Sequence, residues 1–213
     1  MLSFIAALYN EEKEVEDLLD HVQPYVDEII VVDDGSTDET YNLAFSWMQN
    51  HDTPSDLWKI KHIGRPETVK QIALLHTNHD WVLMLDADER FADGVLHDIQ
   101  EFLDSDIAHD ITHVWFGLEE FIDNQFTKGF AKCRLFRRDA VTFSTGIHQS
   151  DQFAGQGASF DWRVIHRKTS EKQIAREMEY VRTYYEMLKA GEITEEDMQW
   201  LMSNHYFVRV LHG

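Results

Sequence analysis

Asp86 and Asp88 stand two residues apart at the exit of the apolar run Trp81–Leu85. Two carboxylates at that spacing can both reach one cation if the chain kinks there, and hard oxygen donors suit Mg²⁺ or Mn²⁺. Such a metal would bridge a diphosphate and offset the charge of a departing nucleotide. The same pair could simply cap the next helix or face solvent. Its place at the end of a strand favours the metal. A second acidic cluster, Asp33-Asp34-Gly35-Ser36-Thr37-Asp38, reads equally as a turn with a helix N-cap or as a carboxylate accepting a hydrogen bond from a base N–H. A third polar cluster, Tyr9-Asn10-Glu11, follows the first apolar run.

The elements that must position these clusters can be read from periodicity. Ser3–Leu8, Glu28–Asp33, Trp58–Ile63 and Trp81–Leu85 are predicted strands. Between them, Glu14–Tyr25, Glu39–Asn50 and Glu67–His79 carry apolar residues at helical spacing. Apolar strands without alternation, joined by helices, imply a parallel sheet covered on both faces. Ligands bind such sheets outside the carboxyl ends of the strands, where all three polar clusters fall. Gly94–Asp104 is a further helix. Thr112–Phe116, Lys132–Phe136, Ala140–Phe143 and Arg163–His166 read as strands of a mixed sheet, with a polar loop at Gly146–Gly157. Glu171–Ala190, stopped by Gly191, and Glu195–Val210 form a helical hairpin, so the expected division is a domain over 1–170 and a helical extension over 171–213.

Composition narrows the function. With 19 basic and 39 acidic residues in 213, the formal charge is −20. That argues against nucleic acid as a partner and against docking on an anionic membrane through a basic patch. One cysteine, Cys133, cannot form an internal disulfide. No apolar run approaches the ~18 residues of a membrane span, and the N-terminus reads as a strand, so a cytoplasmic location is expected. A site rich in carboxylate binds an anionic phosphate best through a metal.

The segment FIAALYNEEKEVEDLLDHVQPYVDEIIVVDDGSTDET closely resembles the opening of family 2 glycosyltransferases, and WVLMLDADERF matches that family's Asp-x-Asp motif at Asp86–Asp88. The resemblance covers residues 2–91 and extends more weakly onward. Cys133–Arg138 is similar to a strand of the branch containing lipopolysaccharide-core β-glucosyltransferase-like proteins. It implies an α/β fold of GT-A type, a Rossmann-like, mostly parallel sheet flanked by helices, with a nucleotide-binding half over 1–91 and an acceptor half over 92–170. It implies transfer of a sugar from a nucleotide-sugar, a UDP-hexose by default, to an acceptor hydroxyl with inversion, assisted by Mn²⁺ or Mg²⁺. By position, Ala7, Tyr9 and Glu11 should line the nucleoside pocket. Asp33 and Asp34 should reach the base, Lys70 the diphosphate, and Asp86 the ribose or sugar. Asp88 should hold the metal, with His148 or His166 as a further ligand.

One departure matters. Gln149 stands where that branch often has a Glu, and an amide cannot take the acceptor's proton. Base candidates are therefore Glu120 and Asp151, then Glu119 and Asp123. Gln149 also keeps open a non-catalytic nucleotide-sugar-binding or scaffold protein. A haloacid-dehalogenase-type phosphatase fits poorly, because its Asp-x-Asp lies near the N-terminus and position 90 here is Arg. Among Arg134, Arg137 and Arg138, Arg134 should share a strand face with Phe136, and a salt bridge to the surplus acid competes with a phosphate contact. The expected acceptor is a carbohydrate, a lipid-linked sugar or a protein. Tyr180, Tyr184, Tyr185, Trp200, Tyr206 and Phe207 could form a homodimer seam or simply pack on the domain.

Overall fold

The computed structural model describes residues 1–144 and 151–203. Strand β1 (Leu2–Leu8) lies between β2 (Glu28–Asp33) and β4 (Trp81–Met84), parallel to both, and β3 (Ser55–Lys59) extends the sheet beyond β2. Every residue of β2 and β4 is buried, as expected of strands covered on both faces. Alternate residues feed two cores. Phe4, Leu8, Val31 and Leu83 pack with the buried faces of α1 (Val15–Val22), α2 (Thr40–Gln49) and α4 (Val95–Leu103). Ile5, Ile30, Val32, Val82 and Met84 pack with α3 (Pro66–Leu75) on the other side.

The second half adds β5 (Glu89–Phe91), β6 (His113–Ile122), β7 (Gln125–Arg137) and β10 (Gly157–Lys168). Among the described residues they complete an eight-stranded sheet in the order β3-β2-β1-β4-β7-β6-β10-β5. β7 runs antiparallel to β4, with Leu83 opposite Leu135, so the residues preceding Leu135 lie alongside the chain leaving β4. β5 pairs antiparallel with β10, setting His166 opposite Glu89. β8 (Val141–Thr142) and β9 (Gln152–Phe153) form a separate two-stranded ribbon.

Several boundaries differ from the sequence reading. The third strand is Ser55–Lys59, not Trp58–Ile63: it pairs from Ile29↔Ser55 to Asp33↔Lys59, and the following residues leave the sheet to wrap Asp34. Predicted strands Thr112–Phe116 and Lys132–Phe136 are the inner ends of one long hairpin. Its two-residue turn, Asp123–Asn124, has both residues at positive φ (49° and 63°), the type I′ geometry that matches strand twist. The outer part of β7 is exposed and interrupts Phe126 and Phe130 with Thr127, Lys128 and Gly129, which hid it from a search for apolar runs. Part of the expected loop Gly146–Gly157 is strand β9, and Gly157 opens β10; residues 145–150 lie outside the described residues.

The chain forms two compact units, one comprising 1–121 and 126–167, the other 122–125 and 168–213. The second holds α5 (Ser170–Ala190), capped by Thr169 Oγ1 accepting from the Lys172 N–H at 3.1 Å, and α6 (Glu195–Ser203). Gly191, at φ 72°, ends α5. Within this unit Tyr184 is buried and stacks with Tyr180, while Tyr185 and Trp200 are exposed. Tyr206 and Phe207 lie outside the described residues.

Candidate active site

The loops leaving β1 and β2 are sewn together by the two polar clusters. Asn10, in a left-handed conformation (φ 55°), receives the Thr37 N–H at 2.9 Å on its side-chain oxygen, and its own N–H donates to Ser36 Oγ at 2.9 Å. The Glu11 N–H donates to Thr40 Oγ1 at 2.7 Å. Asp33 is fully buried, caps the Ser36 N–H and lies 3.5 Å from Lys59 Nζ. Gly35 takes φ 72°, and a Cβ there would meet the His62 nitrogen at 2.7 Å, so the tight turn admits only glycine.

Asp34, expected to reach a base, is engaged within the protein. Its carboxylate accepts the Ile63 and Gly64 N–H groups at 2.7 and 3.0 Å and lies 3.0 Å from His62 Nδ1. Burial pushes its carboxyl above the usual range, against the pull of those donors and of His62. His62 in turn stacks on Tyr9, with ring centroids 4.1 Å apart. Tyr9 and Ala7 are half-buried, while Glu11 is buried.

At the exit of β4 the two aspartates part company. Asp86 lies between Lys70 Nζ at 2.9 Å and Arg134 Nη2 at 3.0 Å. Arg134 also holds Glu89, whose Oε2 accepts the Asp86 N–H at 3.1 Å. Burial opposes ionisation of Asp86, but Lys70, Arg134 and Lys132 more than offset it, and its carboxyl falls well below the ordinary value. Burial likewise opposes the charges of Lys70 and Arg134, and their carboxylate partners raise both above their usual values. Lys70, expected near a diphosphate, thus stands against Asp86.

Asp88, whose side chain is wholly buried, lies 3.1 Å from His166 Nε2, and His166 Nδ1 lies 3.7 Å from Glu120 Oε2. Thr127 Oγ1 donates to Glu120 Oε1 at 3.0 Å, and Lys128 Nζ lies 3.5 Å from the same oxygen. β10 is what brings His166 here: the Arg167 N–H donates to the Asp88 carbonyl at 3.1 Å. A carboxylate oxygen and an imidazole nitrogen this close could serve a borderline transition-metal ion such as Mn²⁺, whereas Mg²⁺ would draw on the carboxylate oxygen alone. Among the described residues no group of three or more His, Cys, Asp or Glu side chains is arranged around one ion. Further ligands would have to come from phosphate oxygens or water.

The remaining candidates separate. Asp151 accepts the Ser144 N–H at 3.2 Å beside the undescribed segment. His148 lies outside the described residues. Glu119 faces away from Glu120 and pairs with Arg163 at 3.4 Å. Asp123 sits in the hairpin turn and accepts the Ser170 N–H at 3.0 Å. Arg137 is engaged with Asp80 and lies over the Trp81 ring, while Arg138 donates to the Thr77 carbonyl. Cys133 is buried, and burial pushes its thiol up to about 12. The sequence reading passed over Glu89 and Lys132. The signal for Glu89 was present: it follows Asp88 directly, in a polar cluster that ends a strand.

The model of the family described as glycosyl transferase family 2 matches residues 3–172. The chain belongs to this family. It is similar to a dolichyl-phosphate beta-glucosyltransferase of Trichomonas vaginalis, 32% identical over 97 residues, 40% of this chain and 28% of that protein. The human dolichyl-phosphate beta-glucosyltransferase is 30% identical over 100 residues, covering 41% of this chain and 31% of that protein. The chain thus spans under a third of the length of these curated relatives. Among solved structures it resembles the mannosyltransferase PcManGT of Pyrobaculum calidifontis, crystallised with GDP-Man and Mn²⁺ (TM-score 0.62, 18% identity, 88% of this chain and 64% of that one). It also resembles S. aureus TarS 1-349 in complex with UDP-GlcNAc (TM-score 0.59, 14% identity, 94% and 70%). The fold is therefore of GT-A type, a mostly parallel sheet flanked by helices with a C-terminal helix pair. No helix among the described residues is long and apolar enough to cross a membrane.

Proposed function

We propose that this chain transfers a hexose from a UDP-sugar to an acceptor hydroxyl, inverting the anomeric centre, with Mn²⁺ or Mg²⁺ bound. The observation that carries the reading is the buried Asp88–His166 pair at the exit of β4, on the same sheet end as the Asn10–Ser36–Thr37 loop junction. The nucleotide-sugar complexes of the similar structures support the donor class, and one of them contains Mn²⁺. Asp88 and His166 would hold the metal, with His148 a further candidate ligand. The bound cation would neutralise charge on the departing diphosphate.

The chain's own groups divide the rest. Tyr9, Ala7 and Glu11 line the nucleoside side, and Asp33 and Asp34 fix the loop that meets the base. Asp86, held by Lys70 and Arg134, is set to meet the ribose or the sugar. Glu120 and Asp151 are the candidates to take the acceptor's proton. Glu120 Oε2 faces His166, so Glu120 can alternatively orient that imidazole, the usual partner arrangement behind a metal-bound histidine. The acceptor is a saccharide, a lipid-linked sugar or phosphate, or a protein hydroxyl, and a cytoplasmic location fits the single reduced cysteine. Gln149 favours a second reading, nucleotide-sugar binding without turnover.

Isothermal titration of UDP, GDP and TDP, each with and without Mn²⁺, tests the donor site on wild type and Asp88→Ala. Metal-dependent UDP binding that the substitution abolishes supports the reading. Failure of every nucleotide to bind under both conditions overturns it. Turnover of a bound UDP-sugar, seen as released UDP, separates the enzyme from the binding protein.

A further inference from the structure

β5 has three residues and lies at the end of the sheet, so only one of its edges is paired. On that edge the Arg167 N–H of β10 donates to the Asp88 carbonyl at 3.1 Å, and the Ala92 N–H donates to the Arg163 carbonyl at 3.0 Å. The alternate backbone groups of an antiparallel strand face the other way, where a sheet edge is ordinarily left unpaired. Here two side chains take them. Arg90 Nη1 donates to the carbonyls of Ala87 and Glu89, both at 2.7 Å, and Nη2 donates at 3.1 Å to the carbonyl of Glu14, the residue before α1. His21, in the last turn of α1, accepts the Phe91 N–H on Nε2 at 3.0 Å and stacks on the Phe91 ring, with centroids 6.2 Å apart. The three successive carbonyls of Ala87, Asp88 and Glu89 thus each accept a hydrogen bond.

These contacts are additional to the core. The buried face of α1 is Val15, Leu18, Leu19 and Val22, whereas His21 and Arg90 are only half-buried. An imidazole nitrogen accepts a hydrogen bond only when it carries no proton. Burial and the Arg90 charge hold His21 below the ordinary histidine value, against the pull of Asp93, which keeps Nε2 available to Phe91. The register of β5 matters because β10 sets His166 opposite Glu89, so a β5 that slips or lifts moves Asp88 relative to His166.

We propose that His21 and Arg90 are positioning residues, which tie β5 to α1 through backbone groups and so hold the Asp88 carboxylate against His166. That the turn so held serves a metal rests on the donor-site reading above; that it is held does not. Two measurements on the same variants therefore test it, the exchange rate of the Phe91 amide hydrogen and the affinity for UDP with Mn²⁺.

His21→Leu removes the acceptor and keeps the bulk, and His21→Gln returns an acceptor oxygen near the place of Nε2. In His21→Leu the Phe91 amide is expected to exchange at least about tenfold faster, and Mn²⁺-dependent UDP affinity to fall about tenfold, as for groups that orient metal ligands. His21→Gln is expected to return both to within about twofold of wild type. Arg90→Lys, whose ammonium cannot span the Ala87, Glu89 and Glu14 carbonyls together, is expected to lower the same affinity by about tenfold at an unchanged melting temperature. The proposal is overturned if His21→Leu keeps both the wild-type exchange rate and the wild-type affinity, or if His21→Gln fails to restore either, since ring packing alone would then explain the loss. Should His21→Leu melt early, His21→Asn, too short to reach the Phe91 amide, decides with the same readouts. Absent UDP binding by wild type would count against the donor-site reading, and Phe91 exchange in the three His21 variants would still decide whether β5 is tied to α1.

Discussion

Asp86 and Asp88 are the same residue type two positions apart, and their surroundings are opposite. Asp86 is clamped by a lysine and an arginine, its backbone N–H held by Glu89. Asp88 faces an imidazole, which in turn faces Glu120. Asp86 is held by the groups that fix the turn, whereas Asp88 is wholly buried against His166. The two positions of the Asp86-x-Asp88 pair are therefore not equivalent in their surroundings. Here the first position works as an anchor, and the second is the one whose neighbour is a metal-type donor.

The largest expected effect comes from breaking the anchor. Arg134→Met leaves Glu89 and half of Asp86 buried without a counter-charge, which should cost about 3–5 kcal/mol of stability. Urea unfolding followed by circular dichroism checks this. A change below about 1 kcal/mol, the range of surface pairs, would mean that the cluster is solvated and that Asp86 is no anchor. Breaking the other side should leave the fold intact. Asp88→Asn is expected to lower Mn²⁺-dependent UDP affinity about a hundredfold or more, with a melting temperature near that of wild type. Binding that survives in Asp88→Asn but is lost in Asp86→Asn would reverse the two roles.

The pH response sharpens the same contrast. The carboxyl of Asp86 titrates well below its ordinary value, because Lys70 and Arg134 outweigh the cost of burial. Across the window below its unfolded value of about 3.9 the unfolded chain binds the proton first. The stability contributed by Asp86 is thus full above that value and is lost as pH falls toward the folded one. Asp34 has the opposite sign. Burial raises its folded value, so its ionisation weakens the fold as pH climbs through the window between the unfolded and folded values. Asp86→Asn should flatten the acid limb of a stability–pH curve, and Asp34→Asn should steepen it. Identical limbs for both variants would dissolve the difference between the two sites.

The parallel half was readable because its strands are apolar on both faces and end in dense polar clusters. Glu28–Asp33 is a case in point: nothing in it alternates, and its span in the structure matches the reading. The site's second half was less legible for a physical reason. β5 has three residues and β10 alternates buried with exposed positions, so neither gives a strong apolar signal. Yet their pairing is what sets His166 opposite Glu89 and near Asp88. Arg134, Arg137 and Arg138 were visible as a basic cluster, but local sequence does not say that Arg134 would be fully buried against Asp86 and Glu89 while Arg137 and Arg138 engage Asp80 and the Thr77 carbonyl. That depends on β7 lying antiparallel beside β4, a contact between residues about fifty positions apart.

The finest contrast in position is between the neighbouring glutamates of β6, where alternation sets the difference. Glu120 is buried and faces His166, whereas Glu119 is partly exposed and paired with Arg163 across the outer face. Glu120→Gln keeps the shape and removes the charge. If Glu120 orients the imidazole, Mn²⁺ affinity should fall about tenfold. If it is the base, UDP–Mn²⁺ binding should persist while turnover collapses. Glu119→Gln should change stability by less than about 1 kcal/mol, as exposed pairs do, and leave both binding and turnover at the wild-type level. Measuring UDP affinity and UDP release for the two variants side by side decides among these outcomes. A turnover loss in Glu119→Gln equal to that in Glu120→Gln would put the reacting hydroxyl on the other face of β6, away from Asp88. Both the metal position and the base would then have to be sought elsewhere on the sheet.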